Sequence, residues 1–169
     1  MRAVLALALL LLPITLGACG GEPAAPAPTP TATAIALERA AIAAGMVPDP
    51  SADPTGLYAR EGDRLCVVPA AVGWRVGVAT RLVDEPGCTA SGRLTRHGDR
   101  LRIELDEGCS FDARFEGDRI VFPADLPDAC AKGCAGRATL SALDVPMLSD
   151  SPAEAAALRG PRGRTLCAP

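Results

Sequence analysis

From residue 109 to 116 the chain alternates strictly. Cys109, Phe111, Ala113 and Phe115 are apolar, and Ser110, Asp112, Arg114 and Glu116 between them are polar. A period of two is that of a strand with one buried face. Gly117-Asp118 follows, and Ile120 and Phe122 then carry the apolar positions of a returning strand. A two-residue loop makes paired positions sum to an odd number. Phe111, Ala113, Phe115, Ile120 and Phe122 therefore fall on one face. The residues around Gly98-Asp99 obey the same parity, with Ala90, Gly92 and Leu94 meeting Leu101, Ile103 and Leu105.

These turns belong to a recurring phrase: EGDRL at 61–65, HGDRL at 97–101 and EGDRI at 116–120. Glycine tolerates the positive φ of tight turns, so each phrase reads as a hairpin. The repeats are unequally spaced, which argues against a solenoid. The pattern predicts about eight strands, near 56–60, 64–68, 74–83, 88–96, 100–106, 109–115, 119–123 and 136–145. The fold class is mainly β: an antiparallel meander closed as a small barrel or packed as a two-sheet sandwich. Two short helices flank it. Ile35 to Ala44 is rich in Ala, Leu and Glu and stops at Gly45. SPAEAAALRG (151–160) has a capping box in Ser151 and Glu154, Pro152 in the first turn and Gly160 as a stop.

The first residues, MRAVLALALLLLPITLGA (1–18), place Arg2 before an apolar run that Pro13 interrupts. That is the layout of a secretory signal, too short for a bilayer span. Leu16-Gly17-Ala18-Cys19 follows. It resembles the lipobox of bacterial lipoproteins cleaved by the signal peptidase II type of enzyme. The resemblance implies a diacylglyceryl group on the Cys19 sulfur, cleavage before Cys19 and acylation of the new amino group, for example by palmitate. Gly20, in place of an Asp retention signal, implies the outer membrane, facing the periplasm. The mature domain also resembles Ala/Arg-rich, uncharacterised lipoproteins of Gram-negative envelopes, which implies no particular activity. At the level of architecture alone it is similar to membrane-bound lysozyme inhibitors, without their motifs.

The expected organisation is a signal peptide (1–18), a lipidated Cys19 with a Pro/Ala-rich tether (19–34), a short helix and linker (35–54) and a disulfide-bonded β domain (55–169). Pro23, Pro26, Pro28 and Pro30 favour extended polyproline II in the tether. Loss of residues 1–18 removes Arg2 and no acid, so 16 cations face 20 acids in the remainder. That balance excludes a strong basic field and argues against nucleic-acid binding.

Six cysteines remain beyond Cys19, an even number that points to disulfides in an oxidising compartment. The Gly98-Asp99 register makes Cys88 and Cys109 partners, because their numbers add to the same total as the other pairs of that hairpin. Cys66 lies on the face opposite Tyr58, Leu65 and Val67 and needs a partner from outside the meander, which the tail bearing Cys167 supplies. Cys130 is left with Cys134. A C-x3-C pair of thiols is also a candidate copper(I) or redox site.

Other chemistry is sparse. His97, the sole histidine, sits at a hairpin tip, which argues against a Ser-His-Asp triad, and one histidine excludes a His-rich zinc site in one chain. Ser110 has no obvious base, and Asp106 and Glu107 adjoin Gly108 as a solvated turn. Trp74 reads as a core plug. No cofactor is expected. The reading is a lipid-anchored envelope protein that is not an enzyme and that binds an envelope protein or small ligand. The alternatives are a barrel holding a small apolar ligand, with Ala90, Gly92 and Ala113 leaving room for it, and a thiol site at Cys130 and Cys134. The turns at Asp63-Arg64, Asp99-Arg100 and Asp118-Arg119 form a polar contact rim if they gather at one end.

Overall fold

The computed structural model describes residues 30–81, 87–160 and 163–168. Eight antiparallel strands close on themselves in chain order: β1 (Gly56–Arg60), β2 (Asp63–Pro69), β3 (Trp74–Ala79), β4 (Thr89–His97), β5 (Arg100–Leu105), β6 (Cys109–Phe115), β7 (Arg119–Val121) and β8 (Asp144–Ser149). β1 pairs with β8 through Leu57–Ser149 and Tyr58–Met147, so the sheet is a barrel and has no free edge. Helix α1 (Ala32–Ala43) precedes it, and α2 (Pro152–Ala156) follows.

The predicted hairpins have the predicted registers. His97 faces Arg100 and Gly92 faces Leu105 across β4–β5, and Phe115 faces Ile120 across β6–β7. Inward residues Tyr58, Leu65, Val76, Leu94, Ile103, Phe111, Phe115, Ile120 and Val145 join one continuous core. An eight-stranded barrel is just wide enough for side chains to fill. The first GDR phrase turns differently from the other two. Its loop is Glu61-Gly62, with Glu61 at φ 51°, and Asp63 already belongs to β2. Gly62 is needed there for space: a Cβ would lie 2.6 Å from the carbonyl oxygen of Arg81.

Three expectations are corrected. The eighth strand is Asp144–Ser149, where 136–145 was expected. Residues 124–142 leave the sheet instead, with a 3-10 segment at Asp128–Gly133 and Leu140 and Leu143 turned into the core. Cys88 does not pair with Cys109. The β4–β5 register is as expected, but β5 ends at Leu105. Asp106–Gly108 reverses the chain, with Gly108 at φ 83°, and Cys109 begins β6 opposite Leu105. Nor does Cys130 pair with Cys134. The disulfides are Cys88–Cys134, Cys109–Cys130 and Cys66–Cys167.

The helices start where caps allow. Thr31 Oγ1 accepts from the Ala34 N–H at 3.2 Å, four residues before the expected start of α1. Ser151 Oγ accepts from the Glu154 N–H at 3.4 Å at the start of α2. α2 is short because the chain folds back after it: the Leu166 N–H donates to the Leu158 carbonyl. A second apolar cluster, outside the barrel wall, joins Val68 and the Cys66–Cys167 bridge to Ala155 and Leu166.

Candidate functional site

Both mouths of the barrel are closed. At the upper mouth, where β1–β2, β3–β4, β5–β6 and β7–β8 connect, the excursion between β7 and β8 forms a lid. Cys130 ties it to the first residue of β6, and Cys134 ties it to Cys88, next to β4. The Ala135 N–H also donates to the Gly87 carbonyl. Cys130 and Cys134 therefore staple one segment to two strands. In these bridges neither sulfur is a free thiol for copper or redox exchange.

The lower mouth is closed by residues 49–55. Arg96 points inward by strand parity and lies over the Phe115 ring, 5.2 Å from its centroid. Its guanidinium donates to the carbonyls of Pro50, Ser51 and Ala52. The Tyr58 hydroxyl donates to the Pro54 carbonyl at 2.8 Å, and Trp74 Nε1 donates to Thr55 Oγ1 at 3.2 Å. Burial pushes the Tyr58 hydroxyl far above its ordinary pKa. Gly117 lies against Asp49, where a Cβ would come within 2.6 Å of backbone. The Ser51 hydroxyl and N–H donate to the Asp49 carboxylate at 2.7 and 2.8 Å and hold it below its ordinary value. Burial alone would raise Asp53, but donors including the Thr55 N–H at 2.7 Å outweigh it.

The interior is packed and both mouths are covered, and a recess lies on the outer wall. A groove of about 840 Å³ runs along β3, β4 and β5, lined by Val72, Arg75, Ser91, Arg93, Thr95 and Glu104 among others. Its floor passes over Gly92, where a Cβ would lie 2.0 Å from the Glu104 carbonyl oxygen, so only glycine lets β5 approach so closely. Arg75 stands opposite Arg93 across β3–β4, and Arg93 opposite Glu104 across β4–β5. Like charges directly opposite are unfavourable. Neither guanidinium forms an ion pair among the described residues.

The residues singled out from the sequence scatter. Cys19 lies outside the described residues. His97 ends β4 at the lower end, exposed. Ser110 is on the outer wall opposite Glu104. Asp106 is exposed in the turn before β6. Trp74 is half-buried against the core at the lower mouth. The GDR turns do not gather: the Glu61-Gly62 turn is at the upper end, and the other two are at the lower. Arg64 bonds to the carbonyls of Glu61 and Asp63, and Arg119 pairs with Asp144 at 3.0 Å. Burial, then Glu61, raises the Asp63 carboxyl.

Sequence reasoning missed Arg96, Arg75 and Arg93. Arg96 was detectable, as an arginine at an inward position of an otherwise apolar parity. The other two look like any outward arginine until the groove is known. Among the described residues, no three or more His, Cys, Asp or Glu side chains gather as a metal site, and no helix is long and apolar enough to cross a membrane. No family model, no curated protein and no solved structure matches this chain.

Proposed function

We propose that this chain is a lipid-anchored cell-envelope protein whose barrel is a non-catalytic binding module, presenting the β3–β5 groove to a partner. The observation that carries the reading is the Arg75–Arg93 pair, two exposed neighbouring cations that form no ion pair among the described residues, on a stapled scaffold. An anionic group of the partner relieves that repulsion. A rigid wall with preset charges lowers the cost of ordering on binding. The packed interior favours this outer surface over a lumen holding a small apolar ligand.

Two measurements test it. Mass spectrometry of the mature protein should find Cys19 as the diacylglyceryl-bearing N-terminus, and an unmodified Cys19 or an intact Met1 start removes the anchor. A photocrosslinker at Thr95, on the groove wall, should give a discrete adduct in intact envelopes. The double substitution Arg75→Glu and Arg93→Glu should abolish it while the fold survives, because both side chains are exposed. Adducts that ignore the charge reversal reject the groove. A turnover abolished by a single substitution rejects the non-catalytic reading.

A further inference from the structure

The groove on the outer wall is not uniform along its length. At its lower end lies the turn between β2 and β3, Ala70-Ala71-Val72-Gly73, which carries no charge. Val72 at its tip is 81% exposed. Above the turn, Arg75 and Arg93 stand side by side. Glu104 flanks Arg93 on the β5 side, and Asp106 joins the lining at the upper end. An apolar lip, a cationic middle and an acidic end therefore follow one another along the strands.

This order has a spacing. Thr95, Arg93 and Ser91 are alternate residues of β4, and all three line the groove. Alternate residues of a strand are about 6.8 Å apart. The apolar turn belongs to the Thr95 level, because a Cβ on Gly73 would lie 3.3 Å from Thr95 Cγ2. Arg75 and Glu104 share the level of Arg93. Asp106 follows Leu105, the partner of Gly92, and so lies toward the level of Ser91. An extended peptide laid along the strands repeats at the same interval. Three of its alternate side chains meet the turn, the arginine pair and the acidic end in succession. The barrel has no free edge, so such a peptide is held through side chains and not as an added strand.

The charges select the chemistry. A phosphate dianion meets Glu104 and Asp106 as well as the arginines, and like charges repel. A carboxylate carries a single charge, which guanidinium groups bind in a fork geometry. A cation two residues along the same peptide then faces the acids. A wholly apolar ligand strips water from the arginines and gives them no partner in return.

We propose that the groove holds an extended peptide segment of a partner protein, with an acidic residue engaged by Arg75 and Arg93. An apolar residue two positions to one side rests against Val72. A basic residue two positions to the other side faces Glu104 and Asp106. This deepens the groove reading of the previous subsection and rests on it.

Fluorescein-labelled pentapeptides test the pattern on the purified full chain. Leu-Ser-Glu-Ser-Lys and its reverse, Lys-Ser-Glu-Ser-Leu, cover the two directions along the strands. By fluorescence anisotropy, one of them should bind more tightly than Glu-Ser-Leu-Ser-Lys, which has the same composition and charge with the acid moved from the centre. Asp106→Lys should weaken the preferred peptide roughly tenfold, about the worth of one charge-assisted hydrogen bond. The same peptide with Glu in place of Lys should bind that variant better than it binds the native chain. Val72→Asp should weaken the preferred peptide too, and both residues are exposed, so the fold survives. Equal binding of all three peptides, or binding that Asp106→Lys leaves unchanged, overturns the pattern. Inorganic phosphate that displaces them at millimolar concentration overturns the peptide and leaves an anion site at the arginine pair. If no peptide binds while the double charge reversal still abolishes the Thr95 adduct, the pattern fails and the groove stands. An adduct that ignores the charge reversal removes the groove and the peptide together.

Discussion

Gly77 is an outward position of β3 that no alternation pattern marks as important. A Cβ there would lie 2.5 Å from Leu166 Cβ and 3.0 Å from Cys66 Sγ. Gly77→Val should therefore push the tail off the wall and cost about 1–3 kcal/mol, as overpacking does. Thermal unfolding with and without reductant measures it, and the variant should lose its effect when Cys66–Cys167 is reduced. Arg96→Ala should cost more. It removes hydrogen bonds from a charged donor to three carbonyls, each worth about 1.5–3 kcal/mol, and the Phe115 contact. A red shift of Trp74 emission should accompany it, because the segment covering the lower mouth loosens. Asp49 belongs to the same segment. Its carboxyl is lowered from the ordinary 3.8 in the folded chain. The stability it contributes is present above that value and is lost as pH falls through the folded pKa. Asp49→Asn should therefore flatten the acid limb of a stability–pH curve and leave the neutral region little changed.

The elements were legible where alternation met a Gly-Asp turn. Cys109, Phe111, Ala113 and Phe115 lie on the core side as their period says, and the register through Gly98-Asp99 is that of the structure. The pairing of Cys88 with Cys109 failed for another reason. It carried the Gly98-Asp99 register past the turn at Asp106-Glu107-Gly108, although strands 100–106 and 109–115 already stand apart in the sequence. Stopping that register at Leu105 changes two of the three disulfides. The lid was missed because its apolar residues, Leu140 and Leu143, cap a mouth and follow no period. Non-reducing peptide mapping should find Cys88–Cys134 and Cys109–Cys130. Replacing both Cys109 and Cys130 by Ser should cost about 2–5 kcal/mol and open residues 124–142 to proteases before the barrel unfolds.

At the scale of the whole molecule, ring closure ties the first strand to the last. Tyr58 meets Met147, and the Cys66–Cys167 bridge spans 101 residues. In the loop-entropy account a span of that length contributes about 4.7 kcal/mol, the largest of the three. The groove was not legible in the sequence. Arg75 and Arg93 are far apart along the chain, and only the β3–β4 register makes them neighbours.

The three disulfides also share an order. Cys109–Cys130 lies within Cys88–Cys134, which lies within Cys66–Cys167, so the bridges are nested like parentheses. A chain oxidised as it emerges, amino end first, meets its cysteines in another order. Cys66 and Cys88 are available to each other long before Cys167 exists. The native set therefore requires either delayed oxidation or later reshuffling by thiol–disulfide exchange. Oxidation of the chain as it emerges should go through species holding Cys66–Cys88, and a disulfide isomerase should speed their conversion. Direct formation of Cys66–Cys167 without such species would show that the barrel closes before its thiols react.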